Sequence, residues 1–162
     1  MKCVVLADTH IAPSIERRLP DAVYTCLRSA GALLHAGDVV HHALLDELSA
    51  FAPIYAVLGN NDDELRGRLP ERLEFELESI GIAMVHEAGP KKGRAARLHR
   101  WFPDADVVVY GHSHEPFDGP GVDGQWLFNP GSATIRKRSP HRTFGLIELA
   151  RGRLVHHEIV TV

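Results

Sequence analysis

The chain has two cysteines, Cys3 and Cys26, and no CxxC pair. A disulfide framework is therefore excluded, and both residues are expected to behave as small buried hydrophobes. Long apolar runs are also missing. The first run, Lys2–Ala7, is broken by Asp8. It is too short for a secretory segment and far too short to cross a bilayer. The expectation is a reducing, cytoplasmic setting with no membrane partner. Positive charge is not in excess either. The formal net charge is -3, a field that does not recruit a polyanion, so nucleic acid is not the expected partner. One basic run remains, Lys91–Arg100, with five Lys or Arg residues. It reads as a solvated helix face with snorkelling stems. Repeats, low-complexity tracts and linkers are absent, which predicts a single domain over 1–162. Histidine is the residue in surplus. There are eleven in 162 residues, several beside Gly, Asp or another His.

The apolar pattern alternates between short strands and helices. Strands are expected at Lys2–Ala7, Ala32–Ala36 and Ile54–Leu58, with helices at Asp21–Ala30 and His42–Phe51 between them. That order reads as α/β with a parallel sheet. The second half differs. Arg72–Glu78 and Ile82–His86 read as a hairpin turning at Gly81, and Lys91–Phe102 as a basic amphipathic helix. Asp106–Tyr110, Gln125–Phe128, Thr143–Leu149 and Leu154–Val160 read as strands, the later ones in a second, mostly antiparallel sheet. The expected architecture is two sheets face to face with helices outside.

Four of these apolar strands end in polar residues of metal-ligand type. The ends are Asp8-Thr9-His10, Gly37-Asp38, Gly59-Asn60-Asn61-Asp62 and Gly111-His112-Ser113-His114, and a fifth strand ends at His86. Ligands bind at the carboxyl ends of strands in α/β sheets. The glycines are expected to let the backbone turn so that the next side chain faces a cleft. Taken singly, each of these ends is more often a turn or a cap; their joint order is what carries weight. Carboxylate, imidazole and amide oxygen without thiolate suit divalent Mn, Fe, Co, Ni or Zn.

The ordered set DTH, GD, GNND, a lone His and GHSH resembles the signature of the calcineurin-like metallophosphoesterase superfamily. With the following Asn129-Pro130-Gly131-Ser132, it is similar to the small YfcE-type phosphodiesterases. The resemblance implies a four-layer α/β/β/α sandwich of two mixed sheets. It implies two divalent ions, manganese first, with nickel, iron, cobalt or zinc as alternatives. One ion would be held by Asp8, His10, Asp38 and His114, the other by Asp38, Asn60, His86 and His112, with Asp38 bridging. The implied reaction is hydrolysis of a small-molecule phosphodiester by a water or hydroxide between the ions. A homodimer or homotetramer is the expected assembly.

One position departs from the family pattern. Asn61 stands where relatives with G-N-H-[DE] carry a histidine. An amide can contact a phosphate oxygen but cannot supply a proton at neutral pH. The expectation is Asn61 as a substrate contact and a bias toward diesters with good leaving groups. His41 is a second candidate phosphate contact, and Asp62 is expected to orient a ligand histidine. Two alternatives share the fold: a non-catalytic scaffold like the retromer subunit, and a phosphomonoesterase. Scaffolds of that kind tend to lose metal ligands, and this chain keeps every one.

Overall fold

The apolar runs assemble into two five-stranded sheets. The computed structural model describes all 162 residues, Met1–Val162. The first half contains β1 (Lys2–Leu6), α1 (Asp21–Leu27), β2 (Ala32–His35), α2 (His42–Ser49) and β3 (Ile54–Ala56). A 3₁₀ turn at Asp63–Leu65 follows, then β4 (Arg72–Leu77), β5 (Ile80–Val85), α3 (Arg94–Trp101) and β6 (Val107–Tyr110). The chain ends with β7 (Phe117–Pro120), β8 (Trp126–Asn129), β9 (Thr143–Ala150) and β10 (Arg153–Thr161).

One sheet has the order β10-β9-β1-β2-β3 and the other β4-β5-β6-β8-β7. Both are mixed. β1, β2 and β3 run parallel, with β9 and β10 antiparallel beside them. β5, β6 and β8 run parallel, flanked by antiparallel β4 and β7. The expectation of a second, mostly antiparallel sheet is therefore corrected. β9 and β10 complete the first sheet because β9 pairs with β1 across most of the chain length.

Alternation along the strands explains the four layers. Cys3 and Val5 of β1, Leu34 of β2, Ile82 and Met84 of β5, and Val107 and Val109 of β6 fill the core between the sheets. The intervening Val4, Leu6 and Leu33 face outward onto Val23 and Leu27 of α1 and Leu44 and Leu48 of α2. On the far side, Ala83, Val85, Val108 and Tyr110 pack on Leu98 and Phe102. Strands covered on both faces read as unbroken apolar runs. The four-layer sandwich of two mixed sheets is thus borne out.

Three details differ from expectation. The β4–β5 turn is made by Glu78 (φ 51°) and Ser79 (φ 61°), while Gly81 lies inside β5. Gly81 has no side chain because a Cβ there would lie 2.9 Å from the Asp104 carbonyl oxygen. α3 begins only at Arg94, after Gly93 at φ 71°, so Lys91 and Lys92 belong to the preceding loop. β7 has no counterpart in the sequence pattern, since Phe117–Pro120 contains Gly and Pro. It is an edge strand, the setting in which Pro is tolerated. Of the two cysteines, Cys3 is buried and Cys26 half-buried. No helix is long and apolar enough to cross a membrane.

Candidate metal centre

The C-terminal ends of β1, β2 and β3 in one sheet meet those of β5 and β6 in the other. The loops leaving β1 and β2 continue side by side past the strands. Asp8 N–H donates to Gly37 O at 2.9 Å, His10 N–H to Asp38 O at 3.0 Å and Ile11 N–H to Val39 O at 3.2 Å. All seven expected ligands converge here. His114 Nε2 lies 3.3 Å from Asp8 Oδ1, and His10 Nε2 lies 3.4 Å from Asp38 Oδ2. His86 Nε2 lies 3.5 Å from the same Asp38 oxygen and 3.0 Å from Asn60 Oδ1, which also faces His112 Nδ1 at 2.9 Å. Asp38 Oδ2 therefore lies between two groups of donors. Asp8 also reaches the second group, with its Oδ1 4.0 Å from His86 Nε2.

Five of the seven donors have left-handed backbone: Asp8 (φ 53°), His10 (φ 46°), Asp38 (φ 58°), His112 (φ 68°) and His114 (φ 56°). Val40, at φ 83°, joins them. Such residues cost about 1–3 kcal/mol each and gather at functional sites, where surrounding contacts hold them. The turns out of the strands are thus made largely by the ligands themselves. Gly59 serves close approach instead: a Cβ there would lie 2.1 Å from the Asp38 nitrogen and 2.2 Å from its Oδ1. Gly37 serves both needs, since its φ is 86° and a Cβ there would lie only 2.7 Å from His86 Nδ1.

Asp62 holds this backbone. Its fully buried carboxylate accepts N–H groups from Asp38 (2.9 Å), Gly59 (2.6 Å) and Val40 (2.6 Å). It orients main chain, not the ligand imidazole expected from the sequence. Asn61 donates twice to Asp38, from its backbone N–H to Oδ1 at 2.8 Å and from Nδ2 to Oδ2 at 2.7 Å. His41 caps α2. Its Nδ1 accepts from Ala43 N–H at 3.1 Å, which assigns its proton to Nε2, 3.5 Å from Glu64 Oε2. A ring in that state offers Glu64 a donor and keeps no lone pair for a metal.

Two supports are not visible in the sequence. The Asn129–Ser132 loop stitches the site together. Ser132 Oγ donates to Asp8 O at 2.8 Å, and Asn129 Nδ2 donates to Gly111 O at 3.2 Å. Thr134 Oγ1 donates to Thr9 O at 2.7 Å. Beneath them, fully buried His35 meets Thr9 Oγ1 at 3.0 Å through Nε2. The NPGS motif stands out in the sequence, but nothing in it says that β8 ends beside β1.

The donors fit divalent cations on their own chemistry. Both Asp8 oxygens, His10 Nε2 and His114 Nδ1 are buried without a hydrogen-bond partner, a costly state unless something else satisfies them. His86 Nδ1 lies 2.7 Å from Ala36 O. In the neutral ring that contact takes the one proton and leaves Nε2 free to coordinate, the usual outer support of a ligand histidine. Burial, with the nearby Asp38 charge, pushes the Asp8 carboxyl up to about 7, against the pull of His86. Burial pulls His114 down to about 4 and also lowers His10, leaving both neutral as ligands must be. For Asp38, burial acts upward, but hydrogen bonds from His86 and Asn61 prevail and hold it below the ordinary carboxylate range. Burial acts downward on His86, but its hydrogen bond to Asp38 and the Asp8 and Asp38 charges prevail and raise it.

These shifts set a pH dependence. Without metal, the raised Asp8 contributes stability that is full below pH 4 and lost as pH rises through about 7. Depressed His114 acts oppositely, its contribution present above 6.5 and lost toward about 4. At pH 5.5 His114 is therefore already neutral and Asp8 still holds its proton. A cation must displace the Asp8 proton and also that of raised His86. Because pH 5.5 is about 1.5 units below the Asp8 value, Asp8 alone should lower apparent affinity about thirtyfold between pH 8 and 5.5, and His86 deepens the fall. Melting curves with and without Mn²⁺ check this. The expected result is a larger shift at pH 8, and equal shifts at both pH values would remove Asp8 as the competing group.

A four-layer sandwich with carboxylate, imidazole and amide donors at its strand ends defines the scaffold of a metallophosphoesterase. The family model of the calcineurin-like phosphoesterase superfamily domain matches residues 1–152, and the chain belongs to that superfamily. A probable metallophosphoesterase of Methanothermobacter thermautotrophicus is 35% identical over 133 residues, covering 81% of this chain and 76% of that protein. Among solved structures, wild-type Vps29 of Entamoeba histolytica in complex with zinc superposes with a TM-score of 0.78. It is 23% identical and covers 100% of this chain and 98% of its own. YfcE, a phosphoesterase from E. coli, superposes with a TM-score of 0.64 at 22% identity over 98% of both chains. These two share the fold.

Proposed function

We propose that this protein is a phosphodiesterase that uses two divalent ions, manganese being the first candidate. The observation that carries it is the convergence of seven donors, including two buried Asp8 oxygens that make no hydrogen bond. When bound, the ions lower the pKa of a water toward ~7 and polarise the ester phosphate. The chain's own residues do the rest. Asp38 presents one oxygen to both donor groups, and Asp62 fixes the main chain from which it projects. His86 is aimed by Ala36 O. Asn61 is exposed at the rim; one of its two amide N–H groups is held by Asp38, and the other is left to meet a phosphate oxygen. No proton donor occupies that position, so the leaving alcohol departs unaided and must be a good leaving group.

General acid help is worth ~10²–10⁴-fold, so its absence at Asn61 favours esters with good leaving groups. Wild-type protein is expected to hydrolyse bis-p-nitrophenyl phosphate faster than p-nitrophenyl phosphate. Asn61→His should raise monoester turnover relative to diester by about tenfold or more without loss of metal. A strong monoester preference in the wild type would overturn the diesterase assignment. An unchanged ratio in the variant would remove the role given to Asn61. The scaffold alternative predicts that neither ester is turned over under any metal.

A further inference from the structure

Three clefts border the seven donors, and they differ in charge. The cleft beside Asn61 and His41 carries Asp63 and Glu64 and no Lys or Arg. The cleft beside Asn60 and His86 sets Arg66 and Arg72 against Glu71 and Glu87. The third opens beside His112 with a volume of about 440 Å³. It sets Lys91, Arg94 and Arg138 against Glu87 and Glu115. Of the three, it alone has an excess of cations, on a chain whose net charge is -3.

Arg94 is the preorganised part of that wall. Its Nη2 donates to Gly89 O at 3.0 Å and its Nη1 to the Tyr110 hydroxyl at 3.4 Å. Its guanidinium carbon stands 5.1 Å from the Tyr110 ring centre. These partners are neutral, so they position the cation without cancelling its charge. Tyr110 is buried and closes β6, two residues before His112. The guanidinium is thus fixed to a rigid strand end next to a metal donor. Lys91 is held loosely by Glu115 at 3.9 Å. Arg138 reaches the cleft from the loop before β9, the same loop whose Lys137 lies close enough to favour the charged form of Asp8.

We propose that this cleft binds an anionic group on one arm of the substrate, so that the preferred diesters carry a second phosphate or a carboxylate. The proposal rests on the hydrolase function proposed above. A planar guanidinium matches both anions through paired N–H donors. The acidic cleft beside Asn61 repels such an arm, so the charge pattern also sets which way the substrate lies across the centre. A neutral arm would leave the cationic wall without a partner.

Three synthetic esters that all release p-nitrophenol test this: p-nitrophenyl ethyl phosphate, p-nitrophenyl 2-carboxyethyl phosphate and p-nitrophenyl 2-(phosphonooxy)ethyl phosphate. The leaving group is common, so differences in kcat/KM report the other arm. One or both anionic esters should exceed the ethyl ester by roughly tenfold, the scale of two partly exposed charge pairs. The gap should shrink with added salt. The ratio should fall toward one in R94Q/R138Q, and fall by several-fold in R138Q alone, where the exposed position poses no folding question. The carboxylate and phosphate arms show which anion is preferred. Equal or faster turnover of the ethyl ester would overturn the proposal and leave the hydrolase function standing. So would a preference that survives in both variants. No turnover of any of the three esters would overturn the hydrolase function itself, and this proposal with it.

Discussion

Asp38→Ala is expected to lower diester hydrolysis by a factor on the order of 10³ or more, the scale of losing several kcal/mol of metal-ion stabilisation. One oxygen of Asp38 lies 3.4 Å from His10 Nε2 and 3.5 Å from His86 Nε2, so its removal strips a donor from both groups at once. It also releases Asn61, whose backbone and amide N–H groups both donate to this carboxylate. Folding should survive, because β1, β2 and the Asp62 contacts to Gly59 and Val40 do not depend on the Asp38 side chain. Steady-state rates, with a circular dichroism spectrum as the check on folding, decide the matter. A folded variant that keeps more than a tenth of the wild-type rate would remove Asp38 from its central place.

Asp62→Ala should act through the main chain, and should cost stability as well as rate. The lost carboxylate leaves three N–H groups, of Asp38, Gly59 and Val40, without their acceptor. An unsatisfied buried donor costs ≈ 1–3 kcal/mol. Allowing for relaxation and non-additivity, about 3–5 kcal/mol is expected, a large part of a total stability of ≈ 5–15 kcal/mol. The left-handed backbone at Asp38 and Val40 then loses what holds it. A displacement near 1 Å at a reacting centre can cost 10²-fold in rate. Asp62→Asn should not rescue, because its amide nitrogen would place a donor against donors. Urea denaturation midpoints and kcat on the same samples test both effects. Wild-type stability in Asp62→Ala would show that the three N–H groups find other partners.

The strand-end donors are legible in the sequence because each follows a buried apolar strand, where a polar residue has no packing role. The supports behind them are not. Asp62 reads as one more turn residue in Gly59-Asn60-Asn61-Asp62, and its three acceptor contacts exist only once β2 and β3 lie side by side. Ser132 meets Asp8 across 124 residues of chain. β9 joins β1 by pairing Cys3 with Ile147 and Val5 with Gly145, a register no local pattern encodes. The position of Gly59 is readable but its reason is not, since the 2.1 Å approach of a Cβ to Asp38 depends on both loops. Local pattern shows where chemistry is placed, and non-local pairing determines how it is held.

The most direct test is to count metal ions per chain in protein loaded with Mn²⁺ and freed of excess, alongside turnover of bis-p-nitrophenyl phosphate. Two ions per chain in active wild-type protein, falling in Asp38→Ala together with the rate, is the expected result. A fully loaded chain that hydrolyses no ester, or hydrolysis that persists after complete removal of metal, would contradict it.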